Sequence, residues 1–299
     1  MKRSTIRMRT VMLAAVVLVA VTHRLAFAQQ ASTGGNANGG GTGASAAAPH
    51  DADEAADVAK QLANPIANLV SIPFQFNWQG HIQPFDSTRF LLNFQPVVPF
   101  TLNDDWNLIA RFIFPFLGQP AMTVAGVPQS GTSDITFSLF FSPSKSKLIW
   151  GVGPVLGIPT TTNPALTSGK WSVGPTAVVL RQDGPWTLGT LVNQLWSYAS
   201  VANYFTRPVN QMFLQPFVAY QMHHAVTLTV DSESTFDWKA EEGQRATVPI
   251  IVLLSKVTRL GPFPFSVQGG GGYYVNRPDD AQHWLLRMNF VLILPREHK

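Results

Sequence analysis

The sequence predicts an all-β fold, a single 12-stranded antiparallel transmembrane β-barrel preceded by a disordered tether and a short helix. Three observations predict it. Residues 225–238 read with period two over their whole length, the strand-like segments elsewhere are joined alternately by short turns and longer loops, and the tryptophans fall at strand ends. In 225–238 one face carries Val226, Leu228, Val230, Ser232, Ser234, Phe236 and Trp238, and the other Thr227, Thr229, Asp231, Glu233, Thr235 and Asp237. Side chains of a strand alternate between faces, so this strand is greasy on one side and hydrated on the other. A soluble sheet on a core and a membrane barrel in lipid both fit that pattern.

The N-terminal residues 1–28 read as a secretory signal peptide. Lys2, Arg3, Arg7 and Arg9 precede an apolar run from Val11 to Val21, and Ala26-Phe27-Ala28 supplies a small-x-small cleavage site. That apolar core is too short to span a membrane. The formal charge of +4 belongs to the leader. Five of the 21 Lys and Arg (positions 2, 3, 7, 9 and 24) lie in it and none of the 17 Asp and Glu, so the remainder carries 16 cations against 17 anions, net −1. Nothing there suggests a nucleic-acid partner. With no cysteine, a disulfide scaffold, a thiolate metal site and a lipidated N-terminal Cys are excluded, and no cofactor is expected.

Hydrophobic residues make up 45% of the chain and charged ones 13%, against roughly 25% charged in soluble domains. After the leader the longest apolar run is the five residues 250–254, too short for a transmembrane helix. An exported chain this poor in charge and without a spanning helix can face lipid as a closed barrel, where every backbone group is paired.

Residues 29–50 are almost wholly Gly, Ala, Ser, Thr and Asn, a disordered tether that cannot build a core. Residues 51–68 form a short helix and connector: Asp51, Asp53 and Glu54 at the front, alanines behind, Lys60 near the end, and Asn64-Pro65 as the stop. Two readings stay open for this helix, a leader in the periplasm or a segment folded back into the barrel as a plug.

The barrel occupies 69–299. Its strands are predicted at 70–78, 89–98, 106–114, 133–141, 148–158, 171–181, 186–198, 210–220, 225–238, 248–256, 263–274 and 284–294. Most run nine to thirteen residues, the length a tilted strand needs to cross the hydrocarbon layer. Compact turns follow the even strands (103–105, 142–147, 182–184, His223-His224 and 258–261), and longer stretches such as 79–88, 115–132, 160–170 and 275–283 follow odd ones. Short turns at one rim and long loops at the other is the arrangement of outer-membrane barrels.

All eight tryptophans sit at predicted strand ends: Trp106, Trp150 and Trp186 at the short-turn rim, and Trp78, Trp171, Trp196, Trp238 and Trp284 at the long-loop rim. Membrane barrels place aromatic girdles at both interfaces, whereas a sandwich buries its tryptophans mid-strand. Trp186 and Trp196 share a face, and ten residues at about 3.3 Å, tilted by about 40–45°, span roughly 24 Å along the membrane normal, close to the apolar band of such barrels. That decides for lipid. Outward sets then include Phe90, Leu92 and Phe94, and Ile135, Phe137, Leu139 and Phe141. Inward sets include Gln75 and Asn77, Asn93 and Gln95, Asn107 and Arg111, and Arg287 and Asn289, with Ile109, Val155, Leu191 and Leu285 making the lumen amphipathic.

The run Leu62-Ala63-Asn64-Pro65-Ile66-Ala67-Asn68-Leu69-Val70-Ser71-Ile72-Pro73-Phe74-Gln75-Phe76-Asn77 resembles the hallmark of a bacterial outer-membrane family named after the meta-pathway of phenol degradation, some of whose members are labelled neuromedin U. The likeness in strand rhythm extends over 62–294. It implies an outer-membrane barrel that passes small, often hydrophobic or aromatic molecules, with lipid and the barrel-assembly machinery as partners and no catalytic residues. The chain departs from many barrels at its end, where Leu294 is followed by Pro295-Arg296-Glu297-His298-Lys299, so that Phe290 is the aromatic left to serve as assembly signal.

A barrel of this size also invites comparison with an outer-membrane lipid hydrolase, but no His-x-Ser lies on one strand face and no Gly-x-Ser-x-Gly occurs. The selectivity candidates are Asp231, Glu233, Asp237, Arg111 and Arg287, which alternation turns inward. They read either as a charged constriction or as pairs that seal the interior. A sealed barrel acting as an anchor or adhesin is the remaining alternative.

Overall fold

The computed structural model describes residues 49–120, 126–161, 163–201, 207–260 and 263–294. The predicted signal peptide, nearly all of the tether and the C-terminal tail after Leu294 lie outside the described residues.

Helix α1 is Pro49–Leu62. The strands are β1 (Val70–Ile82), β2 (Ser87–Phe94), β3 (Val97–Thr101), β4 (Trp106–Gln119), β5 (Gln129–Thr132), β6 (Ile135–Pro143), β7 (Ile149–Ile158) and β8 (Lys170–Asp183). They continue with β9 (Trp186–Ser200), β10 (Asn210–Gln221), β11 (Val226–Asp231), β12 (Ser234–Asp237), β13 (Ala246–Leu260), β14 (Phe263–Asn276) and β15 (Trp284–Leu294). These 15 segments make 12 staves, because β2 with β3, β5 with β6, and β11 with β12 are each one stave interrupted. Every neighbour pair is antiparallel, and the sheet closes where β1 meets β15, from Val70 opposite Leu294 to Gly80 opposite Trp284.

Each interruption has the same cause. Pro73 faces Gln95, Pro115 faces Ser133, and Pro216 faces Ser232; each of those three partners donates its amide to the proline carbonyl, at 2.9, 2.9 and 3.1 Å. Proline has no N–H to return the bond, so the ladder loses a rung there. Across the first and third gaps the register is kept, Phe74 opposite Phe94 and Ser71 opposite Val97, Phe217 opposite Asp231 and Leu214 opposite Ser234. At the second it slips by one residue, as a bulge does: Phe116 faces Thr132 on one side and Ile113 faces Thr136 on the other. The stretch expected as a loop over 115–132 is therefore partly hairpin, with β4 running on to Gln119 opposite Gln129.

The outer wall is apolar. Val152, Val179, Leu188, Leu228, Ile250, Val252, Leu254, Leu286 and Met288 are all exposed on it, where a soluble monomer keeps its contiguous apolar patches small. The tryptophans border this band. Trp106 packs edge-on to Trp150 with ring centroids 5.9 Å apart and Trp186 against Tyr220 at 4.7 Å at the short-turn rim, while Trp238 stacks on Phe236 at 6.0 Å at the other. Trp284 lies flat over Gly80, where a Cβ would come within 2.1 Å of its ring, so only glycine lets the closing pair β1–β15 carry that girdle residue.

The interior has two walls of different chemistry. Along β3, β4, β6, β8, β9 and β10, Val97, Ile109, Phe140, Val178, Leu180, Leu191 and Phe217 form one buried cluster, into which Ile66 projects from the segment before β1. Along the middle of β1 and β15 the buried inward residues include Gln75, Asn77, Gln79 and Arg287.

Helix α1 lies inside the short-turn mouth. Ala55, Val58, Ala59 and Leu62 recur at the spacing of one helical face and pack on Ala225, Val257, Val291 and Ile293 of the inner wall. Gln221 Nε2 donates to the Ala56 carbonyl at 2.6 Å, Gln182 Nε2 to the Lys60 carbonyl at 2.8 Å, and Arg259 pairs with Glu54 at 2.5 Å. Pro65 stops the helix, and Asn64 Oδ1 accepts the Ile66 amide at 3.0 Å, turning the chain toward β1.

Candidate lumen site

Arg287 is the residue around which the polar wall is built. It stands opposite Gly270 of β14, where a Cβ would meet the Val252 carbonyl at 2.1 Å, so no side chain flanks it there. Across β14 and β13 it reaches Glu233, donating from Nη1 to Oε1 at 2.8 Å and from Nη2 to Oε2 at 2.6 Å. Its Nε donates to Asn77 Oδ1 at 2.8 Å. This is a bidentate fork on a carboxylate, the strong geometry for an arginine.

The network continues round the wall. Asn77 Nδ2 donates to the Leu91 carbonyl at 3.2 Å. Gln75 Oε1 accepts from Asn93 Nδ2 and Gln95 Nε2, both at 3.0 Å, and Arg111 Nη2 donates to Gln95 Oε1 at 3.0 Å. Four of the five predicted lumen residues, Asp231, Glu233, Arg111 and Arg287, thus surround one cavity of about 220 Å³, floored by Ala59, Leu62, Asn64 and Pro65.

Asp237 is not among them. It is exposed at the long-loop end of its stave, where Oδ1 accepts the Lys239 amide at 2.9 Å. Alternation fixes a residue's face and not its height: four residues beyond Glu233 is about 13 Å along a strand, which carries Asp237 out of the lumen. Nor do the charges act as free rings, since Arg287 and Glu233 satisfy each other.

Sequence reasoning passed over a second polar tier nearer the long loops. Arg89 Nε donates to Gln79 Oε1 at 2.9 Å and its Nη2 to Gln282 Oε1 at 3.1 Å, while Gln79 Nε2 donates to Tyr274 Oη at 3.0 Å. Arg89 shares a face with Asn93, which was the available signal; Gln282 lies in a loop, and no periodicity could place it.

At the long-loop rim two histidines from separate loops meet. His81 and His283 meet edge-to-face with ring centroids 4.1 Å apart, His81 Nδ1 lies 2.5 Å from Asp86 Oδ1, and Arg277 Nη2 lies 3.2 Å from His283 Nδ1. Ser87, next to Asp86 in sequence, turns its hydroxyl to the Phe85 carbonyl at 3.5 Å. Local desolvation, the Arg277 guanidinium and the His81 ring all hold the His283 imidazole below its ordinary value of 6.5, with Asp86 opposing. A lowered histidine pKa means that the proton opposes the folded contact. The loop packing is then complete above the ordinary value and weakens as pH falls through the lowered one. A nuclear magnetic resonance titration of the His283 ring should show a midpoint below 6.5, moving upward in Arg277→Gln; a midpoint above 6.5 in the unaltered protein would contradict this account.

No protein-family model matches the chain, and no curated protein sequence does. In structure it is similar to an outer membrane channel from Pseudomonas putida F1, at 16% identity and a TM-score of 0.57, over 75% of this chain and 95% of that one. Looser superpositions are found with the NanC porin, at 8% identity and a TM-score of 0.49 over 76% of this chain and 100% of that one. Outer membrane phospholipase A from Escherichia coli gives 10% identity and a TM-score of 0.44 over 80% and 97%. What the chain shares with the first of these is its fold, the closed antiparallel barrel.

Proposed function

We propose that the chain is an outer-membrane channel that passes small molecules, partly apolar ones included, through the barrel lumen, with α1 narrowing the periplasmic mouth. The observation that carries this reading is a cavity of mixed lining, with Leu62, Val97, Phe217 and Val291 on its apolar side and Gln75, Gln95, Arg111 and Arg287 on its polar side, so a solute with both characters finds complementary surface on its way. The leader-like residues 1–28 and the likeness in fold to the Pseudomonas putida channel support export to the outer membrane. The 62–77 motif supports placing the chain in the phenol meta-pathway type family. With Arg287 and Glu233 locked on each other, the lumen suits a passive path better than a strongly ion-selective pore.

The test is liposome swelling and single-channel recording of residues 29–299 refolded in detergent, with folding verified by the shift of the unheated band on a gel. Steady small conductance and swelling in small polar and aromatic solutes are the expected results. A folded barrel that neither conducts nor lets any solute in would overturn the channel reading in favour of an anchor.

A further inference from the structure

Four buried side-chain atoms among the described residues have no hydrogen-bond partner, and three of them, Thr227 Oγ1, Asp231 Oδ1 and Asn289 Oδ1, line the same cavity. Buried polar atoms are almost always paired, and leaving one unmade costs about 1–3 kcal/mol. Three acceptors left open around one space describe the outline of a donor that belongs there. The polar groups around the cavity are directed elsewhere and leave these three atoms without a partner. Arg287 gives both terminal nitrogens to Glu233 and its Nε to Asn77, Arg111 turns to Gln95, and Asn289 Nδ2 already donates to Gln268 Oε1 at 3.3 Å.

Asp231 is the decisive member. It is 8% exposed, its stave sets it between the apolar Phe217 and Ile251, and although Gln215 hydrogen-bonds its carboxyl and Arg287 lies near, its Oδ1 is left without a partner. A carboxylate in such surroundings calls for a cation or a strong donor. Thr227 sits four residues nearer the helix on the same face, about 13 Å along the strand, and Asn289 faces the cavity from β15. The acceptors are therefore spread along the cavity, and no single ammonium meets all three.

We propose that this cavity is a binding site for a small elongated organic cation, an amine with further N–H or O–H donors, whose ammonium pairs with Asp231 and whose other donors meet Thr227 and Asn289. The proposal rests on the channel reading for its biological sense and adds the class of solute: a diamine or an amino-polyol, and not a plain aromatic.

The experiment measures equilibrium binding by calorimetry to the folded 29–299 chain in detergent at about 0.15 M salt, where charges more than about 8 Å apart are largely screened. The probes are 1,4-diaminobutane and its uncharged counterpart 1,4-butanediol. The expected result is saturable binding of the diamine, at least tenfold weaker binding of the diol, and at least a tenfold loss of diamine affinity in Asp231→Asn. Thr227→Val should lose several-fold, while Asp237→Asn at the rim binds as the unaltered protein does. No saturable binding, or binding indifferent to Asp231→Asn in a variant that folds, would overturn the site and leave the three acceptors to water. Because binding is read without any current, a barrel that binds the diamine but conducts nothing loses the channel reading and keeps the site. One that conducts and does not bind loses only the site.

Discussion

Deleting residues 29–62 should raise the single-channel conductance several-fold, and extending the deletion through Ala67 should raise it further. The wall of the barrel does not depend on this segment: every stave is hydrogen-bonded to two others, and closure rests on β1 with β15. What the segment does contribute is bulk within the mouth. Its apolar face, Ala55, Val58, Ala59 and Leu62, rests on Ala225, Val257, Val291 and Ile293, and full burial of each large aliphatic residue is worth about 1.5–3 kcal/mol. Against that stands the entropy of ordering the helix, about 1–2 kcal/mol for each residue held. The Arg259–Glu54 pair adds little, since its two side chains are 45% and 53% exposed. So short an apolar face gives the docked helix little hold on the wall, and it is removable without unfolding the barrel. Ile66 is the reason for the second truncation: buried in the apolar wall beside Ile109, Phe140 and Phe217, it still obstructs the lumen when the helix is gone. The check is planar-bilayer recording of the three chains side by side, and identical conductance in all of them would remove α1 from any gating role.

The same segment marks where the sequence stopped being informative. The helix itself was legible from its acidic start and the Asn64-Pro65 stop, and its stripe at 55, 58, 59 and 62 shows that one face must be covered. What covers it was not legible, because Ala225, Val257, Val291 and Ile293 come from separate staves that only the closed barrel brings together. The staves were the easy part, since a two-residue period with tryptophan at the ends needs no long-range knowledge. Their three fractures were written in the sequence as Pro73, Pro115 and Pro216, but a proline announces a missing rung only once its opposite residue is known. The charges show the same limit. Alternation turned Arg287, Glu233 and Asp237 inward alike, and only register and height separated the pair that meets from the residue left at the rim.

Replacing Arg287 by methionine should cost about 3–5 kcal/mol of stability, the price of leaving a buried partner charge alone. The arginine side chain is 5% exposed and that of Glu233 26%. Its removal takes two charge-assisted bonds from the carboxylate and one from Asn77 Oδ1, and water has little access to replace them. Methionine has no donor to offer. The pair itself need not be a net source of stability, because two ions taken out of water lose much of their Coulomb gain to desolvation. That distinction makes the prediction sharp. Arg287→Met combined with Glu233→Gln removes both charges, and should recover more than half of what the single change loses, whereas independent sites would add. The measurement is the urea midpoint of the refolded barrel, followed by the unheated gel shift and by tryptophan fluorescence. If the double variant is as unstable as the single one, the loss lies in the packing of the arginine side chain and not in an uncompensated carboxylate. If the single variant is as stable as the unaltered protein, Glu233 has found solvent, and the polar wall is a wet surface open to the lumen and not a locked seam.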